Sequence, residues 1–362
     1  MRRFPESGGE RFPESGGDRT LKLIIQIPCL NEADTLPATL ADLPRSIPGI
    51  DVIEVLVIDD GSRDRTADVA RAAGVDHVVR LRRTKGLAAA FAAGIDASLK
   101  RGADFIVNTD ADNQYAGHEI PKLLEPLLKG QADIVIGDRN IAELQHMSWR
   151  KRQLQRLGSW VVRQISNTTV PDTTSGFRAY TRDAALRMTI VSEFSYTLET
   201  IIQAGKKRMA IAHVPVATNP RTRESRLFDS LFSYVKRSAA TIVRIYAMYE
   251  PLKIFTYIGS AVIGVAMLLS LRFVITWMTD STATGPRNLQ SLLFAAALLI
   301  IGFMVLVIGL LADVISANRK LLEDLVYRVR GLELRHGRSD ADANGRETQL
   351  VSKTGADGRW ER

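Results

Sequence analysis

A single cysteine, Cys29, stands in a chain of 362 residues, which excludes an intramolecular disulfide framework and any zinc site built from cysteines. Cys29 is expected to be a small packing residue, in keeping with a reducing compartment. Histidine is scarce too: the five present sit in no recognisable catalytic motif, so chemistry that depends on imidazole has no visible home. No cleavable signal peptide is expected at the start. What the chain has in quantity is apolar residues, 46% of the total, enough for one large or two medium domains with a substantial core. It also carries a formal charge of +8, which attracts anions without saying whether they are nucleic acid, a membrane surface or a phosphorylated substrate.

The long apolar runs narrow that choice. One extends from Ile254 to Trp277 and a second from Leu289 to Ala312, each long enough to cross a bilayer core at about 20 residues per span. Arg272 interrupts the first about a turn from its end, where its side chain can snorkel to the interface. The connection from Met278 to Asn288 has Arg287 as its one basic residue, whereas Lys236, Arg237, Arg244 and Lys253 precede the spans and Arg319, Lys320, Arg328 and Arg330 follow them. By the positive-inside rule the connection faces out, while the N-terminal domain and the C-terminal tail face the cytoplasm. The expectation is an integral protein of the cell membrane with two spans in residues 253–315. No nucleic acid is expected as a partner, because no motif supports it and the charges flank membrane segments.

Residues 1–20 hold Arg-Phe-Pro-Glu-Ser-Gly-Gly twice, at Arg3 to Gly9 and at Arg11 to Gly17, in a composition too polar and Gly-rich to fold alone; a disordered leader is expected. From Leu21 the pattern changes. Strands are expected at Leu21 to Ile27, Val52 to Ile58, His77 to Leu81, Phe105 to Asn108 and Ile134 to Ile136, separated by helical stretches. That alternation predicts a mainly parallel α/β sheet over residues 21–224, covered on both faces, with ligands beyond the carboxyl ends of its strands. Residues 225–252 mix Leu227, Phe228, Leu231, Phe232, Val235 and Ile242 with Arg226, Lys236, Arg237 and Arg244, the composition of an amphipathic helix lying along a membrane surface. Residues 316–362 turn polar after Arg330 and are expected to be a partly disordered cytoplasmic tail.

The chemistry concentrates after Phe105-Ile106-Val107, where Asn108 to Gln114 reads Asn-Thr-Asp-Ala-Asp-Asn-Gln. Two carboxylates one residue apart at a strand end suit a hard cation such as Mg²⁺ or Mn²⁺. Such an ion takes oxygen ligands and keeps sites open for water and substrate phosphates. Asp112 and the amide oxygen of Gln114 are the candidate ligands. Two earlier strand ends are polar in the same way: Pro28-Cys29-Leu30-Asn31-Glu32, and Asp59-Asp60-Gly61-Ser62-Arg63-Asp64-Arg65-Thr66. In this order and spacing the three clusters resemble family 2 glycosyltransferases, whose nucleotide-binding domain has the GT-A fold. Gly137-Asp138-Arg139 and Asp172-Thr173-Thr174-Ser175-Gly176-Phe177-Arg178 resemble the branch that transfers a sugar to a polyprenyl phosphate, the dolichyl-phosphate mannose synthase-like group. The resemblance covers about Leu21 to Leu227, and two C-terminal spans match its bacterial members.

The resemblance implies a GT-A-type, Rossmann-like domain followed by an amphipathic interface helix and two transmembrane helices. It implies that Pro28, Glu32 and Asp60 line the base and ribose of a nucleotide-sugar, with Lys85 and Gly86 nearby and Asp110 continuing the pocket toward the metal at Asp112. The acceptor is a polyprenyl phosphate, already an anion near neutral pH, so no general base is needed. Where other family members place a carboxylate base, this chain reads Thr-Ser-Gly-Phe-Arg. The reaction then asks for cations that draw two anions together, a task suited to the planar fork of arginine. Arg139 is the first candidate, then Arg178 and the run Arg150-Lys151-Arg152, which equally suits lipid headgroups. A basic residue and a serine four positions on contact the acceptor phosphate in the family. Their equivalents here are Lys151 and Gln155, so the serine is missing. Arg221, Arg223 and Arg226 either close over the pyrophosphate or grip anionic lipid. Self-association through helices near the membrane is a further implication. The rival readings are a processive polysaccharide synthase and a non-catalytic membrane scaffold. The first expects Gln-x-x-Arg-Trp and meets Gln153-Leu154-Gln155-Arg156-Leu157; the second would not need the charged cluster at Asp110, Asp112, Gln114 and Arg139.

Overall fold

The computed structural model describes residues 20–139, 149–191, 196–220, 240, 243–244, 246–279 and 286–354, with backbone alone in 149–157, 286–288 and 335–354. The leader and most of the expected amphipathic segment, Arg221 and Arg226 included, lie outside the described residues.

All five expected strands are present: β1 (Lys22–Cys29), β2 (Val52–Asp59), β3 (His77–Arg80), β4 (Phe105–Asn108) and β5 (Ile134–Asp138). Two more, β6 (Arg178–Thr181) and β7 (Ile211–Pro215), complete a seven-stranded sheet of order β3-β2-β1-β4-β6-β5-β7. Sequence pattern missed both for physical reasons. β6 is four residues led by a charge, and β7 lies at the sheet edge with none of its residues fully buried. Neighbours pair in parallel except β6, which runs antiparallel to both β4 and β5.

The period of two along the strands divides the core between the faces. Leu23, Ile25, Ile27, Val57, Val107 and Val135 point to one side. There they meet Leu36 of α1 (Leu36–Asp42), Ala70 of α2 (Thr66–Ala72) and Leu123, Leu124 and Leu127 of α4 (Ile120–Leu128). Ile24, Leu56, Ile58, Ile106, Ile134 and Ile136 point to the other. Those side chains meet Phe91 and Ile95 of α3 (Leu87–Lys100), Val162 of α5 (Trp149–Ser166), Ala184 of α6 (Arg182–Arg187) and Ile201 of α7 (Tyr196–Lys206). Each large aliphatic buried this way stabilises the fold by roughly 1.5–3 kcal/mol before entropy is counted. β1, central and flanked in parallel by β2 and β4, is buried from Leu23 onward. Because the chain leaves β3 at one edge and returns as β4 on the far side of β1, the strand order reverses there. The crevice beyond β1 and β4 is where such sheets take ligands.

Two helices follow that are long and apolar enough to cross a membrane: α8 (Pro251–Thr279) and α9 (Pro286–Thr354). They approach closely through small residues. A side chain at Gly302 would come 2.6 Å from Ile263 and 3.2 Å from the Gly259 carbonyl, and Ala266 and Ala295 are fully buried. The second helix does not stop where its apolar run stops. It continues unbroken to Thr354, in place of the disordered tail expected after Arg330. Outside the apolar stretch it docks on the α/β domain. The Ser316 hydroxyl donates to the Met248 carbonyl, Tyr327 donates to Asp183 at 2.7 Å, Arg330 donates to the Met188 carbonyl, and Lys207 pairs with Glu323 at 3.0 Å. These contacts anchor the helix as far as Arg330.

Candidate active site

The loops after β1 and β2 are tied to each other. Ser62 Oγ accepts the Asn31 N–H, Thr66 Oγ1 accepts the Glu32 N–H, and Asn31 Oδ1 accepts the Arg63 N–H, all at 2.9 Å. Asn31 has φ +55°, which the short amide side chain tolerates. Asp60, 3% exposed, accepts the backbone N–H groups of Lys85 and Gly86, one on each carboxylate oxygen, both at 2.8 Å. Gly61 makes that approach possible. Its φ is +71°, and a Cβ there would sit 2.7 Å from the backbone of Arg83 and Thr84. Pro28 is buried at the end of β1, and Glu32 accepts the Thr35 hydroxyl at 2.6 Å. Thus Pro28, Glu32, Asp60, Lys85 and Gly86 do gather at one end of the sheet, and Asp60 reaches Lys85 and Gly86 by holding their backbone.

Asp110, Asp112 and Gln114 follow β4 on the other side of the crevice. Asp112 Oδ1 accepts the Gln114 N–H at 3.1 Å, and Asn113 between them turns the chain at φ +55°. The loop is clamped from outside by residues 218–219: Tyr115 bridges Thr218, and Asn219 donates to the carbonyls of both Gln114 and Asn113. Burial and the charge of Asp112 push the Asp110 carboxyl up to about 7, against the pull of Arg139.

Beneath Asp110 lies a buried polar lattice that sequence reasoning missed. Asn108 donates from Nδ2 to the Gly176 carbonyl and the Tyr196 hydroxyl, both at 2.9 Å, and accepts from Gln26. The Gly176 N–H donates to the Tyr115 hydroxyl at 3.0 Å. A Cβ at Gly176 would come 3.0 Å from Tyr196 Oη and 3.1 Å from the Asp110 carboxylate, a tight fit in which those side chains would have to shift by a few tenths of an ångström. Tyr196 in turn stacks on Phe91 at 3.9 Å. A polar Asn ending the apolar β4 run was the available signal for this lattice.

The two arginines of the sequence reading part company. Arg139 is 18% exposed and grips Asp172 with Nε and Nη2 at 2.7 and 3.1 Å, and Nη2 also donates to Thr174. That pair holds the Asp172 carboxyl below its ordinary range. Arg178 is a correction. It is fully buried, and its guanidinium donates to the carbonyls of Ser175, Thr197 and Thr173 and to Thr200 Oγ1. It therefore fixes the turn from Asp172 to Phe177 and does not face a substrate. Lys151 and Gln155 fall in the first half of α5, where side chains lie outside the described residues.

Residues 24–188 match the family model described as glycosyl transferase family 2. The undecaprenyl-phosphate mannosyltransferase of Micrococcus luteus is 32% identical over 54% of this chain and 83% of its own length. The chain belongs to glycosyl transferase family 2. Within that family it is also similar to the polyprenol monophosphomannose synthase of Mycolicibacterium smegmatis, 29% identical over 56% of this chain and 79% of the relative. In fold it resembles glucosyl-3-phosphoglycerate synthase from Mycobacterium tuberculosis, with TM-score 0.52 and 21% identity over 63% of this chain and 80% of that one. That structure was solved with Mn²⁺, UDP-glucose and phosphoglyceric acid. The domain is a GT-A-like fold of mixed, mostly parallel sheet, and the chain is a glycosyltransferase.

Proposed function

We propose that the protein transfers a hexose from a nucleotide-sugar to a membrane polyprenyl phosphate, with inversion at the sugar carbon. The observation that carries this reading is one crevice with unlike walls. A carboxylate-rich loop at Asp110 and Asp112 faces Arg139, and the same domain is bolted through α9 to two helices fit to cross a bilayer. The relatives named above act on polyprenyl or undecaprenyl phosphate. The basic flanks of the spans favour the cytoplasmic face for the domain.

The donor sits against Pro28, Glu32, Asp60, Lys85, Gly86 and Asp110. A divalent cation, Mg²⁺ or Mn²⁺, suits the loop that follows, because its donors are all oxygens and Asn113 Oδ1 is buried there with no hydrogen-bond partner. Asp112 and Gln114 would hold the cation, which supplies charge neutralisation for the departing nucleoside diphosphate. Among the described residues no three His, Cys, Asp or Glu side chains form a closed metal cage, and a cation shared with substrate phosphates does not call for one. On the acceptor side the lipid phosphate attacks the anomeric carbon directly. With Nε and Nη2 of Arg139 committed to Asp172 and Thr174, the phosphate meets that guanidinium at Nη1. Lys151, Gln155, Arg221 and Arg226 complete the acceptor side in this reading. Asn219, bonded to the metal loop, leads the chain to Arg221 within two residues.

The test is transfer of radiolabel from a panel of UDP- and GDP-sugars to undecaprenyl phosphate by the purified chain in detergent, with Mn²⁺ or Mg²⁺ and with chelator. Labelled lipid from one donor, lost with chelator and lost in a folded Asp112→Ala variant, is the expected result. No labelled lipid from any donor while nucleotide still binds would overturn it. Full activity of Asp112→Ala would overturn the metal assignment alone.

A further inference from the structure

The α7 helix has the floor of the crevice at one end and the stem formed by α8 and α9 at the other. At its N-terminal end the Tyr196 hydroxyl accepts from Asn108 Nδ2 beneath Asp110, while the Thr197 carbonyl and Thr200 Oγ1 accept from Arg178 Nη1 at 2.9 and 2.6 Å. Every residue from Tyr196 to Ala204 is buried, so the helix is gripped on all sides. At its C-terminal end two lysines reach the stem. Lys206 pairs with Glu250, the residue before α8, and Lys207 pairs with Glu323 of α9 at 3.0 Å. Glu323 also takes Arg319 Nε at 3.0 Å and the Tyr249 hydroxyl at 3.4 Å. All four charged partners of the two lysine pairs are at most 22% exposed, so leaving one unpaired costs more than breaking a surface ion pair.

From Tyr196 to Lys206 the helix spans about 15 Å at 1.5 Å per residue. A soluble substrate diffuses to the crevice wherever the crevice lies. An acceptor anchored in a bilayer does not: its phosphate rises only so far, and its effective concentration at the sugar carbon falls once the span is mismatched. A misplacement of about 1 Å can cost on the order of 100-fold in rate. We propose that α7 is a strut that sets the separation of the site from the membrane, and that Lys206 and Lys207, with Glu250 and Glu323, are positioning residues for a membrane-held acceptor. The proposal rests on the acceptor assigned above, a polyprenyl phosphate. The other ties do not replace these. Tyr327 and Arg330 hold α9 to Asp183 and Met188, beyond the end of β6 that lies away from the crevice. They pin one point of the domain, and the second pin at α7 stops it from tilting about the first.

The test measures transfer in nanodiscs to two acceptors, undecaprenyl phosphate held in the bilayer and citronellyl phosphate supplied in solution. Lys206→Ala with Lys207→Ala should lower kcat/KM for the embedded acceptor about tenfold, through KM, and change that for the soluble one by less than about twofold. Lys206→Arg with Lys207→Arg should keep the wild-type values. Equal losses on both acceptors in a variant that still binds nucleotide, or no loss on either, would overturn the strut. If the double alanine variant does not fold, Glu250→Gln is judged by the same comparison. Spin labels at Gln131→Cys and Tyr257→Cys, both exposed, with Cys29→Ala, read the geometry without the reaction. Double electron–electron resonance should give a narrow distance distribution with the lysines in place and a markedly wider one with both replaced by alanine; an unchanged width would overturn the proposal. A wild type that binds nucleotide and transfers to neither acceptor would overturn the assigned reaction, and the spin-label distances would then decide the strut alone.

Discussion

The two walls of the crevice, to which the proposed function gives the donor and the acceptor, are held by different means. On the donor wall, carboxylates and hydroxyls hold backbone: Asp60 takes the Lys85 and Gly86 amides, Ser62 and Thr66 take those of Asn31 and Glu32. On the acceptor wall, side chains hold one another: Arg139 with Asp172 and Thr174, Asn108 with Tyr196. Backbone held by short polar side chains leaves its positions usable by a nucleotide whatever sugar it carries. A lattice of side chains fixes charge in one place, which suits a wall that must meet a phosphate. The comparison predicts that the walls fail separately.

The largest effect is expected from Arg178→Lys. One ammonium cannot reach acceptors spread around a planar fork, so at least two buried oxygens lose their donor, at about 1–3 kcal/mol each. Thermal or proteolytic unfolding in detergent should show a protein several degrees less stable or not recoverable at all. A fully stable but inactive variant would restore Arg178 to the substrate side. Asp172→Asn should come next. It removes the charge that orients Arg139, and breaking one partner of a buried pair costs roughly 3 kcal/mol, less here because Arg139 is partly exposed. Steady-state kinetics should show KM for the lipid phosphate up about tenfold with nucleotide affinity unchanged. Asp60→Asn should do the reverse. One of the two amides it holds would face an NH₂ group, a loss of about 1–3 kcal/mol, so the donor KM should rise and the lipid KM should not. A shift in both constants for either variant would break the separation.

Of the donor wall, the strand ends were legible in the sequence because each follows from local pattern. Strand period, a Pro, Gly or Asp at each strand end and the parallel order suffice to put Pro28, Asp60 and Asp110 at one end of the sheet. The acceptor wall was not, because it is made by side chains meeting one another, which no strand period places: Arg139 meets Asp172, and Asn108 meets Tyr196 across 88 positions. Arg178 shows the cost of reading a motif without burial. An arginine in a polar motif reads as a ligand for phosphate, and nothing in the sequence says that its four acceptors are carbonyls and a hydroxyl of the protein. The tail differs in the other direction: the polar, Gly-containing stretch after Arg330 reads as disorder in composition, whereas the helix runs on to Thr354.

Tyr115 sharpens the comparison most finely, since it belongs to both walls. It follows Gln114 in the loop proposed to hold the metal, yet its hydroxyl accepts the Gly176 N–H and its ring stacks on Phe177 at 5.0 Å, with the Arg139 guanidinium 5.9 Å from the ring centre. Tyr115→Phe keeps the stack and the ring face and removes one acceptor, which leaves the buried Gly176 amide without a partner at a cost of about 1 kcal/mol. That is a fall of a few degrees in Tm for a domain of this size. Because Gly176 sits against Asp110, the loosened turn should lower kcat modestly, within about tenfold, and leave both nucleotide affinity and lipid KM as they were. If nucleotide affinity fell as far as in Asp60→Asn, the lattice under Asp110 would be supporting the donor wall as well, and the two walls would be one structure.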